Sequence, residues 1–463
     1  MPSSKLLIKL ASDSSVQPSL HLRAELKKAL SPATNALLRV VSIEAEKQRA
    51  PLYIVGGFVR DLLLDRPNLD IDLVLEGDAV RFGRVLVKRL GGRLTVHQTF
   101  GTAVWWLVDD QAAILRSLRV AKNKTRATQQ LPEFIDLISA RRETYARPGA
   151  LPHVQFADIA ADQNRRDFTI NTLALRLDGP YAGQLLDPWG GLNDMRRGIL
   201  STLHSRSFLD DPTRVLRVLR LAGRLKFKIE SSTLRQLKAS LNAIAAVSGE
   251  RIRKEMELVL EEDQPAEILG SMQRLGVLRS IHPNLRFDQK ATRLLTLGSR
   301  PVPKYWQLEK NSRHLFRFVL WLINLSPNAV AGIAERLRFS VDLHTAAVSA
   351  ARLRTKAGSL KNMKPSKLVS ALKREPLLSV YALFLLNKTN QLGRRLQQYV
   401  KDWRHVKSNF DGNALRKMGL KPGPVYGQIL DHLRAAWLDG KLRDKKQEGA
   451  LLEKLVDEHR RNS

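Results

Sequence analysis

The chain has 463 residues, 43% apolar and 26% charged, which excludes a disordered polymer and is enough for about three or four packed domains at roughly 100–200 residues each. Its 77 Lys and Arg against 45 Asp and Glu leave a formal charge of +32, which points to a polyanionic partner, nucleic acid being the commonest, without separating an enzyme from a plain binder. The absence of cysteine excludes disulfides, thiolate metal sites and a Cys nucleophile. No apolar run approaches the ~20 residues that span a bilayer. The weak basic-then-apolar pattern of residues 1–11 has no convincing secretory signal, so a cytoplasmic protein with no membrane partner is expected.

The Ser-rich residues 1–20 read as a ragged start. Helix-periodic sequence follows over 22–48, broken at Ser31-Pro32. The apolar, β-prone run 52–55 ends at Gly56-Gly57, and a short amphipathic helix over 58–64 closes at Arg66-Pro67. Residues 70–75 alternate acid and apolar and then turn wholly apolar, as a strand entering a core does. A helix over 78–90 ends at Gly91-Gly92, and strands are predicted at 93–97, 102–108 and 133–139. The order β-α-β-α-β-β-β predicts a small mixed α/β domain. Between the last two strands lies a basic stretch with Arg116, Arg119, Lys122, Lys124 and Arg126, either a solvated loop or a contact to an RNA backbone. Beyond about Leu185 the pattern is helical almost to the end, punctuated by Pro and Gly, with no fixed repeat.

The strongest constellation is Gly56-Gly57-Phe58-Val59-Arg60-Asp61 followed by Asp70-Ile71-Asp72. Residues two apart on a strand share a face, so Asp70 and Asp72 project together. Adjacent carboxylates repel unless a cation lies between them, and oxygen ligands suit Mg²⁺. A Gly-Gly turn opening a helix presents N–H groups to phosphate, and Arg60 lies one turn further on. Such a pairing of metal ligands and phosphate cradle equips a chain for nucleotidyl transfer. A lone Asp-x-Asp is usually just solvated; the strand–turn–helix–strand context reverses that reading.

At this point the sequence resembles the class II tRNA nucleotidyltransferase and poly(A) polymerase family, within the polymerase-β-like nucleotidyltransferase superfamily. Further motifs match in order. Arg165-Arg166-Asp167-Phe168-Thr169-Ile170-Asn171 resembles the ribose-selecting motif, and Asp187-Pro188-Trp189-Gly190-Gly191 the link between head and neck. Asp210-Asp211-Pro212-Thr213-Arg214 resembles the base-reading motif, with Asp210 where the family often has Glu. The resemblance implies Asp70 and Asp72 as catalytic metal ligands, with Asp136 a candidate third carboxylate. It implies Gly57, Arg60, Arg166, Asp167 and Asn171 around phosphate and sugar, Asp211 and Arg214 at the base, and Arg217 and Arg220 toward the triphosphate. The charged, Gly- and Pro-containing stretch from Arg141 to Pro152 resembles the flexible loop of A-adding and CCA-adding enzymes, with Arg142 and Glu143 its candidates. Asp411 to Leu430 is similar to the tail module of long CCA-adding enzymes, with Arg416 and Lys421 as candidate tRNA contacts beside a Pro-Gly-Pro turn. The strand after the metal motif, Gly91-Gly92-Arg93-Leu94, departs from the poly(A) polymerase pattern.

The resemblance implies an α/β plus all-α architecture: a polymerase-β-like head (46–180) of mixed sheet and helices, a base-recognising neck (181–275), a helical body (276–405) and a tRNA-binding tail (406–463), behind an N-terminal extension (1–45). The expected activity is CCA addition to tRNA 3′ ends from CTP and ATP with Mg²⁺ in a two-metal mechanism and no nucleic-acid template. The expected partners are tRNA and nucleoside triphosphates, with no obligate protein partner evident. The alternatives are an A-adding enzyme or poly(A) polymerase and, from a different class, a catalytically inactive RNA-binding homologue.

Overall fold

Leu52–Val55 is apolar at every position because it becomes a central strand covered on both faces. The computed structural model describes residues 20–119, 130–144, 152–308 and 313–461. The chain forms two compact units, Met1–Val247 and Ser248–Ser463.

The first unit opens with helices α1 (Arg23–Ala29) and α2 (Pro32–Lys47). Ser31 separates them, and its side chain accepts from the Thr34 N–H while Pro32 takes the first helical position. Then follow β1 (Leu52–Val55), α3 (Gly57–Leu63), β2 (Ile71–Leu75), α4 (Ala79–Leu90), β3 (Arg93–His97) and β4 (Thr102–Trp106). Next come α5 (Gln111–Ser117), β5 (Phe134–Ser139), β6 (Arg141–Thr144), β7 (His153–Phe156) and α6 (Ile159–Asn164). The segment β8 (Ala174–Arg176), β9 (Leu185–Leu186), α7 (Gly191–Arg197), β10 (Ile199–Leu200), α8 (Ser207–Asp210) and α9 (Thr213–Leu225) follows.

Seven strands make one mixed sheet in the order β3-β4-β5-β2-β1-β8-β9. Only β2 and β5 run parallel; the other pairs are antiparallel. The fully buried Phe82, Leu86 and Leu90 seat α4 on the sheet. The expected strand and helix order is present, but β8 and β9, which were not expected, extend the sheet beyond β1, and two further differences lie between β4 and β7. A further helix, α5, intervenes before β5, and the expected lid stretch begins and ends as strands, Arg141 to Thr144 pairing with Phe156 to His153. Paired backbone N–H and C=O groups override the Gly and Pro content there. Residues 145–151 of that stretch, Lys122, Lys124 and Arg126 of the basic stretch, and residues 1–19 lie outside the described residues.

The second unit is helical. Its core is aromatic, with Trp306, Phe318 and Trp321 nearly or wholly buried and Trp306 packed 4.7 Å from Tyr381 and 5.2 Å from Phe384, centroid to centroid. Its last helices, Gly412–Lys417, Pro424–Leu438 and Lys445–Arg461, close over Leu415, Ile429, Leu433, Leu452 and Val456.

Candidate active site

The acidic edge of the site follows from strand geometry. Asp72 lies in β2 and Asp136 directly opposite in the parallel neighbour β5. Asp70 is exposed just before β2. Its N–H donates to the Asn68 Oδ1 (2.8 Å), and the Asn68 amide donates to the buried Asp61 carboxylate (2.8 Å). Burial, then Asp136, push the Asp72 carboxyl up to about 6; Arg166 opposes and Asp70 adds to the rise. Asp136 is also raised, by burial and then by Asp70, against the pull of His97. Carboxylates that raise one another in this way stand in each other's field, an arrangement that a hard divalent cation relieves. Among the described residues no group of three or more His, Cys, Asp or Glu side chains stands in a metal-holding arrangement; the oxygen donors gathered at this edge are the Asp70, Asp72 and Asp136 carboxylates.

The facing wall is cationic and internally braced. Gly56 has φ 70°, and a Cβ there would stand 3.0 Å from the Arg166 guanidinium, so only glycine brings the turn this close. Arg60, in the first turn of α3, is buried and grips Asp61 with two N–H groups at 2.9 Å while donating to the Asn171 Oδ1 at 2.7 Å. Asn171 in turn donates to Asp167 at 2.9 Å, and Arg217 of α9 donates to Asp167 at 2.8 Å. The buried Asp167 is drawn up by burial, but Arg217, the Asn171 amide and Arg214 outweigh that and hold it down at about 2. The buried Asp162 binds Arg165 (2.7 Å) and Arg166 (2.8 Å), its i+3 and i+4 neighbours from α6.

Helix α9 supplies the third wall. Val215, Val218 and Leu219 are buried, and Ala222, on the same stripe, is half-buried. The helix begins at Thr213, directly after Pro212, and Asp211 holds its entry by accepting from the Thr213 N–H (3.1 Å) and hydroxyl (2.7 Å). Arg214 is 5% exposed and donates to the Ser207 hydroxyl and the Arg165 carbonyl, both at 2.7 Å. Its neighbours Arg217 and Arg220 are partly exposed.

One cleft of about 450 Å³ collects these groups. Gly57, Arg60, Asp72, Glu143, Arg166, Asp167, Asn171, Asp211, Arg214, Arg217 and Arg220 all line it. The sequence matches the Poly A polymerase head domain family over residues 52–201 and the family described as "Probable RNA and SrmB- binding site of polymerase A" over 226–288. An A-adding tRNA nucleotidyltransferase of Halalkalibacterium halodurans is 30% identical over 88% of this chain and 90% of its own length. The chain belongs to the tRNA nucleotidyltransferase and poly(A) polymerase family. An A-adding tRNA nucleotidyltransferase of Geobacter sulfurreducens is 31% identical over 93% of this chain, which spans only 48% of that longer relative. In structure, a Thermotoga maritima CCA-adding enzyme complexed with tRNA-CCA is similar with a TM-score of 0.69 and 26% identity, over 95% of this chain and 98% of that one. CCA-adding enzymes in complex with ATP and with CTP match with a TM-score of 0.73 and 25% identity, over 95% of this chain and 98% of theirs.

Not every residue singled out from this family's motifs lines the cleft. Asp70 and Asp136 stand at the strand edge beside it, Arg142 lines a neighbouring cleft, and Arg416 and Lys421 are exposed in the second unit. Conversely, the structure adds Arg141 and Arg224 to the lining and Asp162 behind it. Arg224 continues the i+3 and i+4 spacing of Arg214, Arg217 and Arg220, and Asp162 has that spacing to Arg165 and Arg166; both signals were present in the sequence. Among the described residues no helix is long and apolar enough to cross a membrane.

Proposed function

We propose that the chain is a cytoplasmic CCA tRNA nucleotidyltransferase, adding C, C and A to the tRNA 3′ end from CTP and ATP without a nucleic-acid template. The observation that carries this reading is one cleft lined together by Asp72, a braced arginine wall and the Asp211/Arg214 pair, with Asp70 and Asp136 beside it. Asp70 and Asp72, with Asp136 beside them, would hold Mg²⁺, which when bound supplies activation of the RNA 3′ hydroxyl and neutralises the departing pyrophosphate. Around that reaction Gly57, Arg60, Arg166, Arg217 and Arg220 bind the triphosphate, as a cluster of fixed guanidinium groups suits phosphate oxygens. Asp167 and Asn171 orient the sugar, and Asp211 with Arg214 presents an acceptor and donors to the base edge. Arg142 and Glu143 belong to the closing loop, and Arg416 and Lys421 hold tRNA phosphates in the tail.

A second reading, addition of the terminal A alone, is favoured by the names of three relatives that are 30–32% identical over 82–93% of this chain. Three acceptors decide between the readings: tRNA lacking CCA, tRNA ending in CC, and unrelated RNA, each with labelled CTP or ATP singly and together. CTP incorporation into tRNA lacking CCA, followed by one A, is expected. Incorporation of ATP alone, and only after CC, would replace CCA addition by A addition. A-tailing of unrelated RNA would identify a poly(A) polymerase, and absence of any pyrophosphate release an inactive RNA binder.

A further inference from the structure

We propose that a second cleft, beside the nucleotide cleft, receives an unpaired base at the 3′ end of the RNA acceptor, stacked on the Trp189 indole. The inference rests on the transferase reading above and adds to it a place for the acceptor. The cleft measures about 620 Å³ and shares Glu143, Arg165 and Arg214 with the nucleotide cleft as a common wall. An occupant of one therefore lies against residues that bound the other.

Trp189 is the feature that asks for a ligand. It is the most exposed of the seven tryptophans, with 37% of its surface open, and it lines this cleft. Leaving so much apolar area in water forgoes stabilisation that burial would supply. The ring is carried on a stiff turn. The Asp187 carboxylate accepts from the Gly191 N–H at 2.7 Å and the Leu192 N–H at 2.9 Å, Gly190 has φ 70°, and Gly191 packs so tightly that a Cβ would lie 2.3 Å from the Thr169 carbonyl oxygen. A stiff turn that holds an open indole beside a polar cleft is a platform made before its ligand arrives, which lowers the ordering cost of binding.

Charge decides what part of the RNA fits. The nucleotide cleft is strongly cationic, whereas the lining of this one includes three arginines, Arg142, Arg165 and Arg214, and three acids, Glu143, Asp158 and Asp210. Such a balanced lining gives little attraction for phosphate and suits a neutral, flat base with hydrogen-bonding edges, for which aromatic stacking is sequence-tolerant. His204 also lines the cleft. Burial, then Arg214, hold its imidazole below the usual range, so at neutral pH the ring offers one donor and one acceptor to a base edge.

The test compares the wild-type chain with Trp189→Leu, which keeps apolar bulk without a π face, and Trp189→Phe, which keeps one. Binding of a labelled acceptor-stem hairpin is measured with and without a two-nucleotide 3′ overhang, alongside steady-state KM values for hairpin and nucleotide. In the wild type the overhang should tighten binding about tenfold, within the range expected of one stacked base. Trp189→Leu should erase that gain and raise the hairpin KM by a similar factor, leaving the nucleotide KM unchanged; Trp189→Phe should restore most of it. The gain should persist between 50 and 200 mM salt, unlike the phosphate-driven part of binding. An overhang gain retained in Trp189→Leu overturns the proposal, as does a rise in nucleotide KM rather than hairpin KM, or competition by free CMP equal to that by the overhang. The binding arm needs no turnover, so a wild-type chain that binds the overhang but incorporates nothing would refute the transferase reading instead.

Discussion

Asp167 offers a quantitative test of the braced arginine wall. It is 6% exposed, and its carboxylate accepts from Arg217, Asn171 and the Phe168 N–H. Its pKa is held at about 2, against about 3.9 in an unfolded chain. The folded state therefore favours the charged form by about 2 kcal/mol at neutral pH. The sign is that of a depressed acid: the stabilisation is complete above the unfolded pKa and drains away as pH falls toward 2. Asp167→Asn keeps the shape and removes the charge, so the first unit of the full chain should lose about 2 kcal/mol in urea unfolding at pH 7. The difference from wild type should hold to about pH 5 and fall to roughly half by pH 3. Because Arg217 loses its anchor, the nucleotide KM should rise as well. A variant as stable as wild type at pH 7, or a deficit that does not shrink between pH 5 and 3, would refute the assignment of Asp167 as the charged tie between the Asn171 turn and α9.

Asp70→Ala and Asp72→Ala should each reduce incorporation by several orders of magnitude while leaving tRNA retention on filters intact; near-normal turnover in either would remove the metal assignment. Arg214→Ala should lower the ratio of preferred to rejected nucleotide about tenfold or more with little change in tRNA affinity, and an unaltered ratio would leave Arg214 only its bonds to Ser207 and Arg165. Gly191→Ala, whose Cβ would sit 2.3 Å from the Thr169 carbonyl oxygen, must displace backbone and should cost well over 1 kcal/mol in the unfolding of the first unit, read by thermal melting. Replacing both Arg416 and Lys421 by Ala should weaken tRNA binding and make its dependence on log salt shallower by about 1.5 to 2, close to one per lost phosphate contact; an unchanged slope would free the tail of that role.

The elements were legible where one physical signal dominates. The apolar run before Gly56-Gly57, the acid–apolar alternation of residues 70–75 and the Ser31-Pro32 break each became the predicted element within a residue or two, because burial, strand period and capping act locally. The lid was less legible. Gly and Pro content read as loop, yet Arg141–Thr144 is a strand, since its partner at His153–Phe156 lies beyond the turn and pairing is invisible to local composition. Side-chain commitments were the least legible. Motif resemblance pointed to Arg60, Arg166, Arg214 and Arg217, but not to the partners each had taken: Asp61 and Asn171, Asp162, Ser207 and the Arg165 carbonyl, and Asp167.

Those partners change what the arginines can do. A surface arginine loses rotamer freedom when it meets a phosphate, at a cost of up to about 2 kcal/mol for a long side chain. Arg60 and Arg214 are already fixed, as are the Asp162-bound Arg165 and Arg166, by bonds made within the protein, so much of that cost is met on folding rather than on binding. The same bonds tie α3, the Asn171 turn and α9 into one assembly through Asp61, Arg60, Asn171, Asp167 and Arg217. A change at the N-terminal end of α9 can therefore be felt at the Asn171 turn through this chain of bonds. Asp167→Asn cuts that chain near its middle. If the nucleotide KM rises in this variant while Asp72 and Arg214 are intact, the wall acts as a unit; if only stability falls, the arginines act one by one.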